Sequence, residues 1–483
     1  MIRKASLELL LLQRALSLAA MVLLFAIGGA VSHAQGLSDV ALPPVTRDAA
    51  RELATKITQP FVFAAVGDVW ATTRPNAPLE DPRLQSLLGI MRSADMTYAN
   101  MEGPIIDYGA YNGPRVGSSK TFVGELKNMG IRIVTTANNH AMDAGPEGML
   151  MTNRLLDEAG IARSGTGKNL TEARRPAIAT TPKGTVAAVG MYSIDVTSSN
   201  PGYSRYSDAR ADWPGVNPLH VVPTAVVSPE QMQDLRKIRD AVYARRSQVL
   251  VPVAPVAANE PKNRITLFGT RYKVGDAADV GNLSYTMDRQ DFRDIIQSVR
   301  EGKQLSDFMV VAIHCHVNSF AFQAYSHDNS TPDFLVELAH AAIDNGADVF
   351  VGHGVHTLRG IEIYKGKPIF YGLSNFIYQN SPIPEVTDPS HPDNSLLDRT
   401  HQPDNKEALL TTSRYEGGQL VEVRLYPVDL GIDGTRPVSR NGEPLAASPQ
   451  QAVRVLKFVQ DLSKPFGASI EIENGVGVIR VRR

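Results

Sequence analysis

The residues able to bind a metal or move a proton fall where short apolar runs end. Asp68 follows the run from Phe61 to Val66 and Gly67, and Asn100 and Glu102 follow the run that opens at Met96. Asn138, Asn139 and His140 follow Ile131 to Thr136. His314 and His316 close the run Phe308 to Ile313, and His353 and His356 close Asp348 to Gly352. Imidazole, carboxylate and amide oxygen together suit a divalent ion such as zinc, manganese or iron. Each group also has a plainer reading: Gly67-Asp68 as a turn, Asn138-Asn139-His140 as a helix-capping loop, one of His314 and His316 as a satisfied core histidine. Their joint placement at about five run ends is what points to a metal. His340 lies inside a helical pattern and reads as structural. His220, His327, His391 and His401 fall in loops, and His33 lies in the N-terminal leader.

Other chemistries find less support. There is one cysteine, Cys315, so an intrachain disulfide, a CxxC redox pair and a thiolate zinc cluster are excluded. Cys315 stands between His314 and His316, which at i and i+2 share one strand face, so its thiol is expected to point away from theirs, buried and off the metal. No Gly-x-Ser-x-Gly elbow or Walker or Rossmann glycine loop is present.

Strands must hold these residues. Apolar runs at 61–66, 96–100, 131–136, 308–313, 348–352 and 368–371 alternate with helical patterns at 81–92, 146–159, 288–300 and 333–345, the signature of an α/β or α+β layered core. In open α/β sheets the carboxyl ends of strands are where a site is built. Residues from about 200 to 286 are richer in Pro, Ser, Gly and Asn and read as an insertion or lid on the main domain. Within it, Ser228-Pro229-Glu230-Gln231 is a capping box that starts a helix to about Arg246. Residues 379–406 are loop-like. A strand at 419–426, a helix from Ser448-Pro449 to about Leu462 and a closing hairpin at 470–472 and 476–481 complete the pattern.

The 483-residue chain is 43% hydrophobic and 20% charged, with a formal net charge of −1. That excludes a disordered chain and gives no sign of a nucleic-acid or anionic-membrane partner. Arg3, Lys4 and Arg14, the apolar run Ala15 to Ala30, and Ser32-His33-Ala34 form a signal peptide with a cut before Gln35; retained, the run would be an anchor. The expected organisation is a signal peptide at 1–34, an arm at 35–60, a main domain at 61–380 carrying the insertion, and a tail at 381–483 completing the same domain. The expected location is the periplasm or the outside of the cell.

Taken together, Ala65-Val66-Gly67-Asp68, Asn100-Met101-Glu102, Ala137-Asn138-Asn139-His140 with Asp143-Ala144-Gly145, Gly165-Thr166-Gly167, Ala312-Ile313-His314, and the stretch from Asp344 through Gly352-His353-Gly354-Val355-His356 to Tyr371-Gly372-Leu373-Ser374-Asn375-Phe376 resemble the CapA family of poly-γ-glutamate capsule biosynthesis proteins. The resemblance covers roughly residues 60–380. It implies a calcineurin-like metallophosphatase fold, two packed mixed β-sheets flanked by helices. It also implies one or two divalent ions (Mn, Fe or Zn) held by Asp68, Glu102, Asn139, His314, His353 and His356. His140 would be the general acid, and Asn100, Asn138, His316, Asn318 and Asn375 would be substrate or supporting contacts. Where the family commonly has His-Trp-Gly-x-Glu, this chain has His314-Cys315-His316-Val317-Asn318, an imidazole gained and a carboxylate lost. Three functions follow from the resemblance: an exported metal-dependent phosphoesterase-like hydrolase, an enzyme releasing or transferring γ-glutamyl polymer, or a non-catalytic capsule assembly factor with a relic metal site. The partners implied are an envelope polymer or phosphorylated small molecule, and a membrane capsule-synthesis complex.

Overall fold

Apolar runs rich in valine, isoleucine and phenylalanine form strands buried on both faces. In the computed structural model they supply two ten-stranded mixed sheets with helices on their outer sides. The structure describes residues 52–71, 81–114, 116–196, 208–247, 260–317, 319, 329–379, 407–431, 440 and 442–481. The expected leader, residues 35–51 of the arm, Asn318, residues 380–406, and 200–207 and 248–259 of the expected insertion lie outside the described residues.

Along the chain, β1 (Phe61–Ala71), β2 (Met96–Met101), β3 (Ile131–Thr135) and β4 (Ala162–Ser164) lie side by side and parallel in the first sheet. The second sheet is built on β5 (Gly184–Asp195), β6 (Pro218–Val227), β7 (Phe308–His314), β8 (Val349–His353) and β9 (Lys367–Phe370), parallel in the spatial order β6-β5-β7-β8-β9. The chain then returns to the first sheet. There β10 (Asn375–Gln379) runs parallel to the second half of β1, and β11 (Glu407–Glu416) antiparallel to its first half. Next come β12 (Gln419–Asp429) and β13 (Val476–Arg480), both antiparallel.

The longer helices among the described residues are α1 (Pro82–Ser93), α2 (Phe122–Asn128), α3 (Gly145–Glu158), α4 (Pro229–Ser247), α5 (Arg289–Leu305), α6 (Asp333–Asp344) and α7 (Pro449–Ser463). Several start on a cap that the sequence supplies. Asp81 accepts from the Arg83 N–H, and Asp288 accepts from Gln290 and Asp291. Ser228 and Gln231 accept from each other's backbone N–H, closing the expected capping box. Each such cap stabilises its helix by about 1 kcal/mol.

The two sheets pack face to face. Phe61, Phe63, Tyr98 and Ile133 of the first meet Val186, Phe308, Val310 and Val351 of the second. The Phe308 ring lies 5.2 Å from Phe61 and 5.1 Å from Tyr415. Full burial of side chains of this size is worth about 1.5–3 kcal/mol each. On the far face of the first sheet, Val66, Leu87, Leu88, Met91 and Leu126 form a second apolar layer under α1 and α2.

One expectation changes. Strand β1 does not stop at Gly67 but continues through a bulge at Asp68/Val69, because Val69 still pairs with Met101 and Ala71 with Gln379. The segment read as an insertion or lid contributes strands. Besides β6, a hairpin of Arg264–Leu267 and Thr270–Val274 joins β6 at the sheet edge, and Leu283–Met287 also pairs with β6.

Where β8 begins, Asp348 is fully buried. It is met by Lys303 at 2.7 Å, Lys367 at 2.5 Å and the backbone N–H of Met309 at 2.8 Å. His353 stands at the other end of the same strand.

Candidate metal centre

Register places the donors. Pairing of β1 with β2 sets Asp68 beside Asn100, and β1 with β10 sets Asp68 beside Asn375. Pairing of β7 with β8 sets His314 beside His353. Glu102 follows β2, and Asn138, Asn139 and His140 follow β3. The site therefore sits at the carboxyl ends of β2 and β3 in the first sheet and of β7 and β8 in the second, as open-sheet geometry favours, with Asp68 at the bulge in the second half of β1. Two glycines allow the approach. A Cβ on Gly67 would lie 1.8 Å from the Ser374 carbonyl oxygen. Gly354 has φ +99, and a Cβ there would lie 2.7 Å from the Cys315 nitrogen, so no other residue fits this loop without moving it. His356 holds φ +60, backbone strain of the kind concentrated at functional sites.

The His314 ring lies between two groups of donors. Its Nδ1 faces Asp68 Oδ1 at 3.5 Å, His353 Nδ1 at 3.1 Å and the Asn100 amide at 3.3 Å. Its Nε2 faces Asn139 Oδ1 at 2.9 Å, His316 Nε2 at 3.0 Å and Glu102 Oε1 at 3.6 Å. His356 lies 3.6 Å from Asp68 and 3.9 Å from Glu102. Three sets thus bring their ligand atoms within metal-binding reach of one another: Asp68, His314 and His353; Glu102, His314 and His316; Asp68, Glu102 and His356.

Electrostatics separates the two carboxylates. Burial alone would raise Asp68, but His314 and His353 beside it outweigh burial and hold its carboxyl well below the usual range. Asp68 also accepts from the Asn100 side chain at 2.7 Å and the Gly354 N–H at 2.9 Å. Glu102 is pushed well above the usual range by burial, then by the charges of Asp68 and Asp143. Both of its oxygens are buried without a hydrogen bond. A carboxylate in that state lacks a positive partner. Burial pushes His314 down to about 4 and His316 well below its ordinary value, leaving neutral imidazoles with lone pairs to offer. Oxygen and nitrogen donors around a carboxylate without a partner fit a divalent ion.

The supporting residues divide. Asn375 accepts from His356 Nδ1 at 2.8 Å, so it orients a ring. Asn138 donates to the Met101 carbonyl and accepts from the His140 N–H, so it shapes the loop. His140 stands at the half-open rim, its Nδ1 2.8 Å from Asp143 and its ring 3.8 Å from Trp70. Cys315 is buried, its sulfur near the Val317 carbonyl and Arg359. Asn318 lies outside the described residues.

Three neighbours escape a reading of the sequence by residue type. Tyr98 hydroxyl meets His353 Nε2 at 3.1 Å and Thr135 at 2.5 Å. Its signal is position, since it precedes Asn100 by two on one strand face. Asp143 fixes His140. Arg359, almost fully buried, donates to the Val317 carbonyl at 2.7 Å and so braces the segment that carries His316.

The profile of the family described as bacterial capsule synthesis protein PGA_cap matches residues 62–380. The protein y4sH of Sinorhizobium fredii is 35% identical over 89% of this chain and 95% of its own length. The PGA biosynthesis protein CapA of Bacillus subtilis is 24% identical over 62% of this chain and 57% of its own. Among solved structures, a Staphylococcus aureus chain named as a 5′-nucleotidase, bound to α-ketoglutarate, is similar at a TM-score of 0.34 and 12% identity, over 83% of this chain and 58% of that one. With two-thirds of its length matched by one family profile, and a relative at 35% identity along nearly all of it, the chain belongs to the bacterial capsule synthesis protein PGA_cap family.

Proposed function

We propose that the protein is an exported, metal-dependent hydrolase, phosphoesterase-like, that serves capsule or envelope polymer metabolism. The observation that carries this reading is Glu102, a buried carboxylate whose two oxygens accept no hydrogen bond amid the imidazoles of His314, His316 and His356. Asp68, Glu102, Asn139, His314, His353 and His356, with His316 beside them, would hold one or two divalent ions. A bound ion of this kind lowers the pKa of a water and polarises a phosphoryl or carbonyl oxygen. The chain's own residues do the rest. Asp143 engages His140 at Nδ1, so the proton His140 can give to a leaving group is the one at Nε2. Asn375 orients His356, and Tyr98 fixes His353 from behind. Trp70 walls one side of the His140 ring.

A second reading is release or transfer of γ-glutamyl polymer; the Bacillus subtilis relative is named for PGA biosynthesis. One experiment addresses both. Metal content is measured on the purified protein, followed by turnover of phosphomonoesters, phosphodiesters and poly-γ-glutamate. Bound metal with phosphoester turnover is the expected result. Release of glutamate-containing fragments alone would favour the second reading. Metal without any turnover would leave an assembly factor.

A further inference from the structure

The chain-wide charge balance conceals a local excess. Between Pro229 and Gly275 the sequence holds nine lysine and arginine residues against four acidic ones, in a chain of formal net charge −1. Within α4, Arg236 and Arg239 are spent on Glu260. Lys237 pairs with Asp234, and Arg245 and Arg246 lie at the end of α4, whereas Lys262 leads into, and Arg264, Arg271 and Lys273 lie on, the hairpin of Arg264–Leu267 and Thr270–Val274. Its register sets Arg264 opposite Lys273 and Thr266 opposite Arg271, so all four share one face of the ribbon, while Ile265 and Leu267 turn the other way and are buried. Like charges directly opposite weaken a strand pair. Lys273 is turned to Ser284 at 2.6 Å, whereas Arg264 and Arg271 are exposed and make no ion pair among the described residues.

The tip of this hairpin is odd as well. Phe268 has φ +52 and Gly269 φ +83, the left-handed pair of a two-residue hairpin turn. The first of those positions is normally Asn, Asp or Gly, since a bulky side chain crowds the backbone there. Phe268 is nevertheless 75% exposed, the highest value among the described large apolar side chains. On α4, which packs against the hairpin, Ile238 and Val242 are exposed one turn apart. The protein therefore bears three costs in one module: an aromatic ring in water, that ring in a strained conformation, and a like-charge pair across strands.

We propose that the tip docks on an anionic lipid bilayer, with Phe268 entering the headgroup boundary and Lys262, Arg264 and Arg271 meeting lipid phosphates. Aromatic rings favour the membrane–water interface, and an anionic leaflet attracts juxtaposed lysines and arginines. A hydrated acidic polymer would answer the charges but offers no apolar layer for the ring, so the lipid surface accounts for both. A contact made by a two-residue hairpin tip and flanking cations lies at the membrane surface.

The test keeps the full chain and reads the tip locally. Phe268→Trp is added to a protein with two native tryptophans, Trp70 and Trp213, whose signal the parent supplies for subtraction. In vesicles of phosphatidylcholine and phosphatidylglycerol with brominated acyl chains, the added tryptophan should be quenched; in phosphatidylcholine vesicles it should not. The double change Arg264→Glu/Arg271→Glu in this background should weaken the quenching interaction at least about 30-fold. Phe268→Asn should leave Tm unchanged or raise it, because the turn relaxes. A tip tryptophan that stays quenchable only from water in anionic vesicles overturns the proposal. So does protection by soluble polyglutamate in place of vesicles, which would make an acidic polymer the occupant. A fall in Tm for Phe268→Asn would show that the ring packs on the protein itself and also overturns it.

Discussion

The Nδ1 atoms of His314 and His353 stand 3.1 Å apart in a space closed to water. Two imidazole nitrogens at that distance share one proton or turn both lone pairs to a cation. The same oxygen of Asp68, 3.3 Å from one and 3.5 Å from the other, makes the cation the better-matched occupant. His353→Ala should therefore strip or loosen bound metal while the sheets persist, as read by metal analysis and circular dichroism. Full retention of metal would remove β8 from the ligand set.

His140→Ala should behave differently. The ring stands at the rim beside Asp143 and Trp70, so its loss should leave metal and Tm near the parent values. Turnover should fall by about 10²–10⁴-fold, the usual contribution of a proton donor. An active His140→Ala protein with a modest Tm loss would reduce the loop to a helix cap.

Asp348 joins Lys303 and Lys367 out of water and receives the Met309 N–H. Asp348→Asn would leave the buried ammonium of Lys303 and the half-buried one of Lys367 short of their carboxylate, a change that costs about 3–5 kcal/mol where the charge is buried. Urea unfolding should show that loss, and the metal content of the folded fraction should be unchanged because the cluster lies at the far end of β8.

His220 lies 3.0 Å from Asp208 and 2.6 Å from Asp291, which push its pKa up to about 10. A histidine whose folded value is raised stabilises fully below its ordinary value of about 6.5, and that contribution is lost as the pH rises through the folded value. His220→Gln should therefore lower Tm more at about pH 6 than near pH 10. An equal loss at both would mean that the ring acts by packing alone.

The clustering of the candidate ligands is largely legible because most follow apolar runs that read as buried strands; His314 and His353 are placed by that rule before any contact is known, whereas Asp68 sits at a bulge that the rule reads as a strand end. Tyr98 is hidden by its ordinariness, one aromatic residue among others in an apolar run. Asp143 reads as the approach to α3, and its contact with His140 exists only because Asn138 curls the loop. The fold is less legible at its joins. Strand β11 lacks clean alternation because both of its faces are buried, and the strands at 264–274 are short and rich in charge, which imitates a loop. The meeting of Lys303, Asp348 and Lys367 depends on three elements converging and leaves no local trace in the sequence.

Strand β1 precedes every other described strand, yet its first half is paired by β11 and its second half by β10, both of which come after every strand of the second sheet. The central strand of the first sheet thus keeps an open edge until residues beyond Glu416 are available. Pairings of such long range are slow to form, because the chain entropy of closing the intervening loop comes before any contact repays it. A nascent chain of this protein cannot complete the first sheet until synthesis has passed Glu416.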